Sequence, residues 1–327
     1  MMLKKTYNAI DVLKFIMALL VIMIHVKPNV HCEFLQHFFS PLMSISVPCF
    51  FIISSVLLFS KLNGNGMYLF RYCKRIGLLY LCWFIIDGWF ILNNKPYFSL
   101  DGGILKLLKD LIFATTFPGS WYLSASIMGV LIVYYLNKLF HPILVLIITY
   151  LIACYISRVQ LLPEYLRIPY YWYAATFHDE VNLSFPAQMV WISIGQVISL
   201  HLYKIENAPK QFLLYLVATF VVSFVLCMFT GCLELRILMS VSIVCACLFI
   251  DIPSKSIYKK LRSYSILMFF FHFSIAGKMR YMTLIMGDSL LTNWLFYLIV
   301  ITISILFADL VLRLEKTKYL SFLRFIH

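Results

Sequence analysis

The stretch DVLKFIMALLVIMIH, residues 11–25, decides the fold class of this chain. It is apolar apart from Asp11, Lys14 and His25, and within 8–27 it reaches the roughly 20 residues that a helix needs to cross a bilayer. The rest of the chain has the same character. Of its 327 residues, 62% are hydrophobic and 13% are charged, and the mean hydropathy is +0.90. A soluble domain carries roughly 25% charged residues, so this composition cannot cover a water-facing surface. An aromatic content of 17% excludes a disordered chain.

Ten segments approach the length of a membrane span, and together they predict an all-α bundle of about ten transmembrane helices, because backbone groups in lipid must be paired within their own segment. The segments are 8–27, 38–59, 76–94, 121–137, 141–158, 185–203, 211–230, 235–251, 264–277 and 291–312. The stretch 104–117 differs, since its leucines recur at helical spacing beside Lys106, Lys109 and Asp110. It predicts a short amphipathic helix lying on the surface. The longest hydrophilic stretch, 158–184, carries a run of aromatic residues and predicts a loop at the membrane interface.

The basic residues set the expected orientation. Lys and Arg outnumber Asp and Glu by 27 to 14, for a net charge of +13. In a soluble protein this excess would indicate nucleic-acid binding, but cytoplasmic loops of membrane proteins are enriched in the same residues. With Lys4 and Lys5 inside, about 17 basic residues fall on that side and about nine on the other. Both termini are therefore expected in the cytoplasm, and no nucleic-acid partner is expected.

The chain shows no sign of a second domain or of a metal site. No Pro/Gly-rich linker or internal repeat interrupts it, so 1–327 is predicted to be a single membrane domain. The nine cysteines form no CxxC pair and no Cys/His metal spacing, and most lie in apolar runs, as core residues do. No metal is expected.

Three ionisable residues lie along the first span, where a charge costs about 2.5–3.5 kcal/mol and is a functional candidate. Asp11 and Lys14 share one face near the cytoplasmic end. His25 follows Lys14 by eleven residues, about 16 Å up the same face, which predicts an imidazole deep in the bundle. Imidazole suits proton transfer near neutral pH. The alternative is structural: Asp11 and Lys14 pair at the helix end, and His25 only forms a hydrogen bond.

A second cluster is RYCKRI, 71–76, at the start of the third predicted span. Arg71, Lys74 and Arg75 either follow the positive-inside rule or bind phosphate, for which guanidinium groups are well shaped. No Gly-rich phosphate loop accompanies them.

Two further candidates are Trp121, whose default role is an interfacial anchor, and His272, a second imidazole within a span. For His272, and for the acids Asp87 and Asp309, structural hydrogen bonding is the favoured role.

Five stretches, in this order, resemble the acyltransferase 3 family of bacterial membrane acyltransferases. They are DVLKFIMALLVIMIH (11–25), VPCFFIISSVLL (47–58), RYCKRI (71–76), SWYLSASIMGVL (120–131) and SYSILMFFFH (263–272). By this resemblance His25 matches the essential histidine of the family and Lys14 the basic residue eleven positions before it, often Arg. The R-x-x-R motif is altered: Arg75 matches its second arginine, and Tyr72 stands at the first, next to Arg71.

The resemblance implies a function in the cytoplasmic membrane of a bacterium. The protein would transfer an acyl group, usually acetyl from acetyl-CoA, to a hydroxyl of a surface polysaccharide or a lipid-linked glycan. Lys14, Arg71, Lys74 and Arg75 would bind the CoA phosphates, and His25 would act as general base or carry the acyl group. Asp11 would orient Lys14, while Trp121 and His272 match recurrent family positions and are supporting candidates. The alternative function is a transporter or flippase in which Asp11, Lys14 and His25 form an ion or substrate pathway.

Overall fold

A computed structural model describes residues 6–62, 66–88, 91, 93, 103–113, 116–177 and 180–327. Within the helix Ser256–Met286, the side chains of residues 278–284 and 286 are outside the described set. Lys4 and Lys5, most of 89–94 at the end of the third predicted span, and residues 114–115 of the predicted amphipathic stretch also lie outside it. Every described segment of regular structure is a helix, which confirms the all-α fold class.

Thirteen α-helices follow one another along the described residues, with short 3₁₀ turns between some of them. They are α1 (Asn8–Val26), α2 (Glu33–Leu62), α3 (Gly66–Ile86), α4 (Gly103–Phe113), α5 (Ser120–Leu139), α6 (Pro142–Ser157), α7 (Glu164–Thr176), α8 (Phe185–Leu200), α9 (Leu202–Glu206), α10 (Lys210–Thr230), α11 (Leu233–Phe249), α12 (Ser256–Met286) and α13 (Leu290–Leu314).

Six described segments are long and apolar enough to cross a membrane. They are Asn8–Val26, Glu33–Leu62, Ser120–Leu139, Val181–Leu200, Lys210–Thr230 and Leu290–Leu314. The ten predicted segments all coincide with described helices, although the third does so only in part. The count of ten spans and the cytoplasmic termini stay predictions. In α10, Leu214, Val221 and Phe229 are all exposed, and such an outward apolar surface suits contact with lipid.

Two expectations about short segments had different outcomes. The predicted amphipathic helix exists as α4, which turns Ile104, Leu105 and Leu108 outward and buries Asp110. The prediction that 158–184 is a loop was wrong for about half of that stretch, which forms α7. Pro163 precedes that helix and fixes a backbone angle suited to a helix start. α7 buries none of its residues, and its exposed Trp172 fits the expected position at the membrane interface.

Two compact units make up the chain, Met1–Ile53 with His201–His327, and Ser54–Leu200. In the first, α1 packs mainly along α12 and also contacts α11 and α13. Long-range hydrogen bonds hold α1 in place, among them one from Asn8 Nδ2 to Ile252 O over 2.6 Å and one from Tyr297 Oη to Leu19 O over 3.1 Å. α10 with α11, and α12 with α13, form antiparallel pairs because only short connections join them.

In the second unit, α8 packs against α5 and α6. The small residue Gly129 lets α5 approach α8 closely, since a Cβ at this position would lie 2.5 Å from Ile192 Cδ1. Thr149 Oγ1 donates to Ser193 Oγ over 3.1 Å and joins α6 to α8. Small residues and buried hydroxyl groups replace the hydrophobic effect as the source of helix association in lipid.

Candidate active site

Asp11 forms a buried ion pair that the sequence analysis missed. Its side chain is 3% exposed, and Arg262 of α12 donates from Nε to Oδ1 over 2.7 Å and from Nη2 to Oδ2 over 2.6 Å. Both carboxylate oxygens are thus bound by one guanidinium group, a geometry that gives strong and directional pairing. Asp11 therefore joins α1 to α12. Lys14, one turn further along α1, is half-buried.

The imidazole of His25 lies in the last turn of α1, where it is exposed, and the expectation that it lies deep in the bundle was wrong. The helix ends directly after it because Pro28 cannot continue the backbone hydrogen bonding. Lys27 closes the helix in the left-handed conformation, at φ 54° and ψ 54°, and its N–H donates to Met23 O over 2.9 Å.

His25 faces two ring side chains of α12. Its ring centroid lies 4.4 Å from that of Phe273 and 5.2 Å from that of His272. The described structure thus brings together two of the residues that the sequence analysis singled out, although they lie about 250 positions apart in the sequence.

His272, rather than His25, is the deeply buried imidazole of this site, with an exposed fraction of 0%. Its Nδ1 lies 2.9 Å from Met268 O of the preceding turn. A carbonyl oxygen can only accept, so Nδ1 carries the hydrogen and Nε2 of the neutral ring is an acceptor. Among the residues that the structure describes, none forms a hydrogen bond with Nε2.

A cavity of about 440 Å³ opens beside the same end of α1. It is lined by Met23, Ile24, Lys27, Asn29, Val30, Gln36, Ser40, Met43 and Ser44. Asn29 is 3% exposed, and its Oδ1 has no hydrogen-bond partner within the described ranges. The cavity therefore combines apolar side chains with polar groups and one cation, as small-molecule sites do.

The loops near this end are joined by a hydrogen-bonded ion pair. His31 Nε2 donates to Asp288 Oδ1 over 2.7 Å, and Asn293 Nδ2 donates to the same oxygen over 2.9 Å. These two hydrogen bonds lower the pKa of Asp288 below its usual range. The connection α1–α2 and the connection α12–α13 are thereby held together.

Of the four cations predicted to bind phosphate, Lys14 lies in the first unit and the other three lie in the second. Arg71, Lys74 and Arg75 are all exposed on α3, and their spacing places them on one face of that helix. The guanidinium carbon of Arg71 lies 5.6 Å from the ring centroid of Tyr68, a cation–π contact. Trp121 is half-buried in the first turn of α5 and packs edge-on against Tyr122, with centroids 6.4 Å apart.

The acid Asp309 has the structural role that was favoured from the sequence. Tyr264 Oη donates to Oδ1 over 2.8 Å, Lys260 Nζ lies 2.6 Å from the same oxygen, and Arg313 Nε donates to Oδ2 over 2.6 Å. Asp87 is half-buried just after α3. In the described part of the chain, no three His, Cys, Asp or Glu side chains converge as metal ligands would.

These features define a multi-pass helical membrane protein with a pair of imidazole rings at one end of its first helix. A family model described as an acyltransferase domain, acyltransferase 3, matches residues 7–313. The chain belongs to this family, as its motifs indicated.

It is also 33% identical to two amino-acid racemases of Enterococcus faecalis, over 145 and 138 residues, or 42% and 40% of this chain. Those stretches span only about a fifth of each racemase, 19% and 20%. No solved structure matches.

Proposed function

We propose that this protein transfers an acetyl group from acetyl-CoA to a hydroxyl of a carbohydrate, either a surface polysaccharide or a lipid-linked glycan. The reaction takes place in the cytoplasmic membrane of a bacterium. The observation that carries this proposal is membership of the acyltransferase family over nearly the whole chain. The pairing of His25 with His272 supports it, because an accessible imidazole beside a buried one provides a base at a substrate-facing position.

In the proposed step, His25 removes the proton of the acceptor hydroxyl while the oxygen attacks the thioester carbonyl. A new C–O bond forms and the C–S bond breaks. The proton held on His25 then passes to the departing CoA thiolate, so that the products are the acetyl ester and CoA with its free thiol. General base catalysis of this kind contributes typically about 10²–10⁴-fold to a rate.

The cations predicted to bind the CoA phosphates are assigned that role in this proposal. Lys14 lies about 16 Å along α1 from His25, a separation that suits the extended arm of CoA. Arg71, Lys74 and Arg75 present three exposed positive charges on one helix face, and guanidinium groups bind phosphate oxygens through paired hydrogen bonds.

The acceptor is assigned to the cavity at the end of α1. Its volume of about 440 Å³ accommodates a sugar unit, and Asn29, Gln36 and Ser40 supply polar groups for sugar hydroxyls. A Ser40→Phe substitution fills this space, so it is expected to raise the KM for the acceptor. The affinity for CoA, measured by calorimetry, is expected to stay unchanged. An unchanged acceptor KM would contradict this assignment.

The experiment that tests the function uses purified protein in lipid, acetyl-CoA and candidate glycans, with release of free CoA and the mass of the glycan as readouts. His25→Ala is expected to abolish transfer. His37→Ala is the matched control, since His37 is an exposed imidazole on α2 whose only described ion pair is with Glu33, one turn away. Both variants are compared with the wild type for thermal stability, so that a loss of folding is recognised. Equal turnover in all three proteins would remove His25 from the mechanism.

CoA binding is tested separately by calorimetry. Arg75→Ala is expected to weaken CoA binding by about 10-fold or more, because a charge-assisted hydrogen bond contributes about 1.5–3 kcal/mol. Arg324→Ala is the control, since that exposed guanidinium group donates to Ser321 O near the end of the chain. Equal affinity in both variants would contradict the role of Arg75.

The alternative function, a transporter or flippase, predicts substrate flux across sealed vesicles without consumption of acetyl-CoA. The racemase relatives add no second candidate, because the shared stretches cover only about a fifth of those proteins.

A further inference from the structure

The buried imidazole of His272 has one nitrogen whose function the fold leaves unexplained. Its Nδ1–H is used by Met268 O, which leaves the Nε2 lone pair as an acceptor in a place where water does not reach. A buried acceptor without a donor is unfavourable, and such groups in native proteins call for an explanation. Protonation of Nε2 would be worse, because it would place an unpaired charge in the same surroundings.

Among the described residues, His25 has the polar ring that contacts the side chain of His272. The two imidazole centroids are 5.2 Å apart, and the other ring beside His272 is the apolar Phe273, at 4.1 Å. Two imidazole rings joined by an N–H···N hydrogen bond have centroids about 5 Å apart, given a nitrogen separation near 2.9 Å. The rings are inclined by 38°, and His25 is exposed, so its side chain has room to rotate and turn an N–H toward Nε2.

We propose that His272 is a positioning residue that accepts an N–H hydrogen bond from His25 through Nε2. This bond selects the tautomer of His25 in which the second ring nitrogen, the one turned away from His272, carries the lone pair. The inference rests on the proposed function, because it assigns that free nitrogen as the base toward the acceptor hydroxyl. The bond persists when His25 becomes an imidazolium, since the N–H that faces His272 is present in both protonation states.

Among the described residues, no carboxylate forms a hydrogen bond with either ring. In many catalytic sites an acid orients the histidine and stabilises its positive charge. Here a neutral imidazole, itself oriented by the carbonyl oxygen of Met268, supplies the orientation within a membrane helix, where a buried carboxylate would be costly. The chain from Met268 O through His272 to His25 therefore fixes both rings.

Two variants of similar size separate positioning from packing. His272→Phe fills the buried space but has no acceptor, and we expect kcat to fall about 10- to 100-fold while the acceptor KM changes little. His272→Gln retains an acceptor oxygen at the end of its side chain, and we expect it to recover most of that loss. Equal activity of the Phe variant and the wild type would overturn the inference, as would equal loss in both variants with unchanged thermal stability.

A spectroscopic readout keeps the test independent of activity. In protein with ¹⁵N-labelled histidine, the ring nitrogens of His25, assigned by comparison with His25→Gln, are expected to show a single tautomer in the wild type and a mixture in His272→Phe. His37→Gln, which replaces an exposed imidazole on α2, serves as the control and should leave the His25 signals unchanged. A tautomer mixture already present in the wild type would overturn the inference. If the tautomer shifts as expected but neither protein transfers acetyl, the proposed function fails while the positioning contact stands.

Discussion

The ion pair between Asp11 and Arg262 gives the most quantitative prediction for stability. Arg262→Ala removes the guanidinium group that binds both oxygens of a carboxylate whose side chain is 3% exposed. Breaking a buried ion pair on one side costs about 3–5 kcal/mol, because the remaining charge loses its partner. The Arg262 side chain is itself 45% exposed, so water can reach the space that it leaves. We therefore expect a cost near the lower limit, about 3 kcal/mol.

The assay is thermal unfolding of the purified protein in one detergent, followed by intrinsic fluorescence. At about 2–4 °C for each kcal/mol, the expected decrease in Tm is about 6–12 °C. Arg313→Ala is the matched control, because Arg313 also binds a carboxylate but its side chain is 77% exposed. Lys260 and Tyr264 remain on Asp309 in that variant. An exposed pair one turn apart contributes about 0.3–0.5 kcal/mol, so Tm should fall by about 1–2 °C.

A double variant distinguishes the loss of pairing from the loss of packing. Asp11→Asn combined with Arg262→Gln removes both charges, and amide side chains can still form hydrogen bonds with each other. The decrease in Tm should then be smaller than the sum of the two single decreases. If Arg262→Ala lowers Tm no more than Arg313→Ala does, the ion pair does not hold α1 to α12 and the reasoning is wrong.

Two further predictions concern helix packing and pH. Gly129→Ala should destabilise the protein by about 1–3 kcal/mol, because the new Cβ would lie 2.5 Å from Ile192 Cδ1 in a filled core. Gly77→Ala, where a Cβ would meet no atom within 4 Å, should instead raise stability by up to about 1 kcal/mol. Thermal unfolding of both variants checks this, and stability changes of the same sign would contradict it. The pKa of Asp288 is lower in the folded protein than in the unfolded chain, where it is about 3.9, so the ionised carboxylate stabilises the folded protein above that pH. This stabilisation should be lost as the pH falls below about 4 and through the pKa of the folded state. Tm measured from pH 6 to pH 3 should therefore fall less steeply for Asp288→Asn than for the wild type, and parallel curves would show that the contact with His31 has no such effect.

Much of the fold could be predicted from the sequence because lipid imposes a simple rule. A spanning helix must be apolar over about 20 residues, and this signal located ten segments that coincide with described helices, the third only in part. The rule fails where a segment is polar enough to leave the bilayer. Residues 158–184 were expected to be a loop because their aromatic and polar residues lack the signal of a span, yet about half of them form α7, which buries none of its residues.

The site was predicted in part. His25 and His272 were both identified as imidazoles within apolar stretches, but their contact depends on how α1 packs along α12, which periodicity within one helix cannot show. The same limit applies to Asp11, which was expected to orient Lys14. Its described partner is Arg262 of α12, which lies 251 positions away in the sequence, so no spacing within α1 could indicate it. The depth of His25 was misjudged because Lys27 and Pro28 end the helix directly after it.

The central claim is that His25 promotes transfer of acetyl from CoA to a carbohydrate. The most direct measurement supplies radiolabelled acetyl-CoA to the cytoplasmic face of sealed membrane vesicles that contain the protein and its native glycan, and then counts label in the purified carbohydrate. We expect label that mild alkali releases as acetate in the wild type and in His37→Ala, and only background in folded His25→Ala. Equal labelling of the carbohydrate in all three proteins would contradict it.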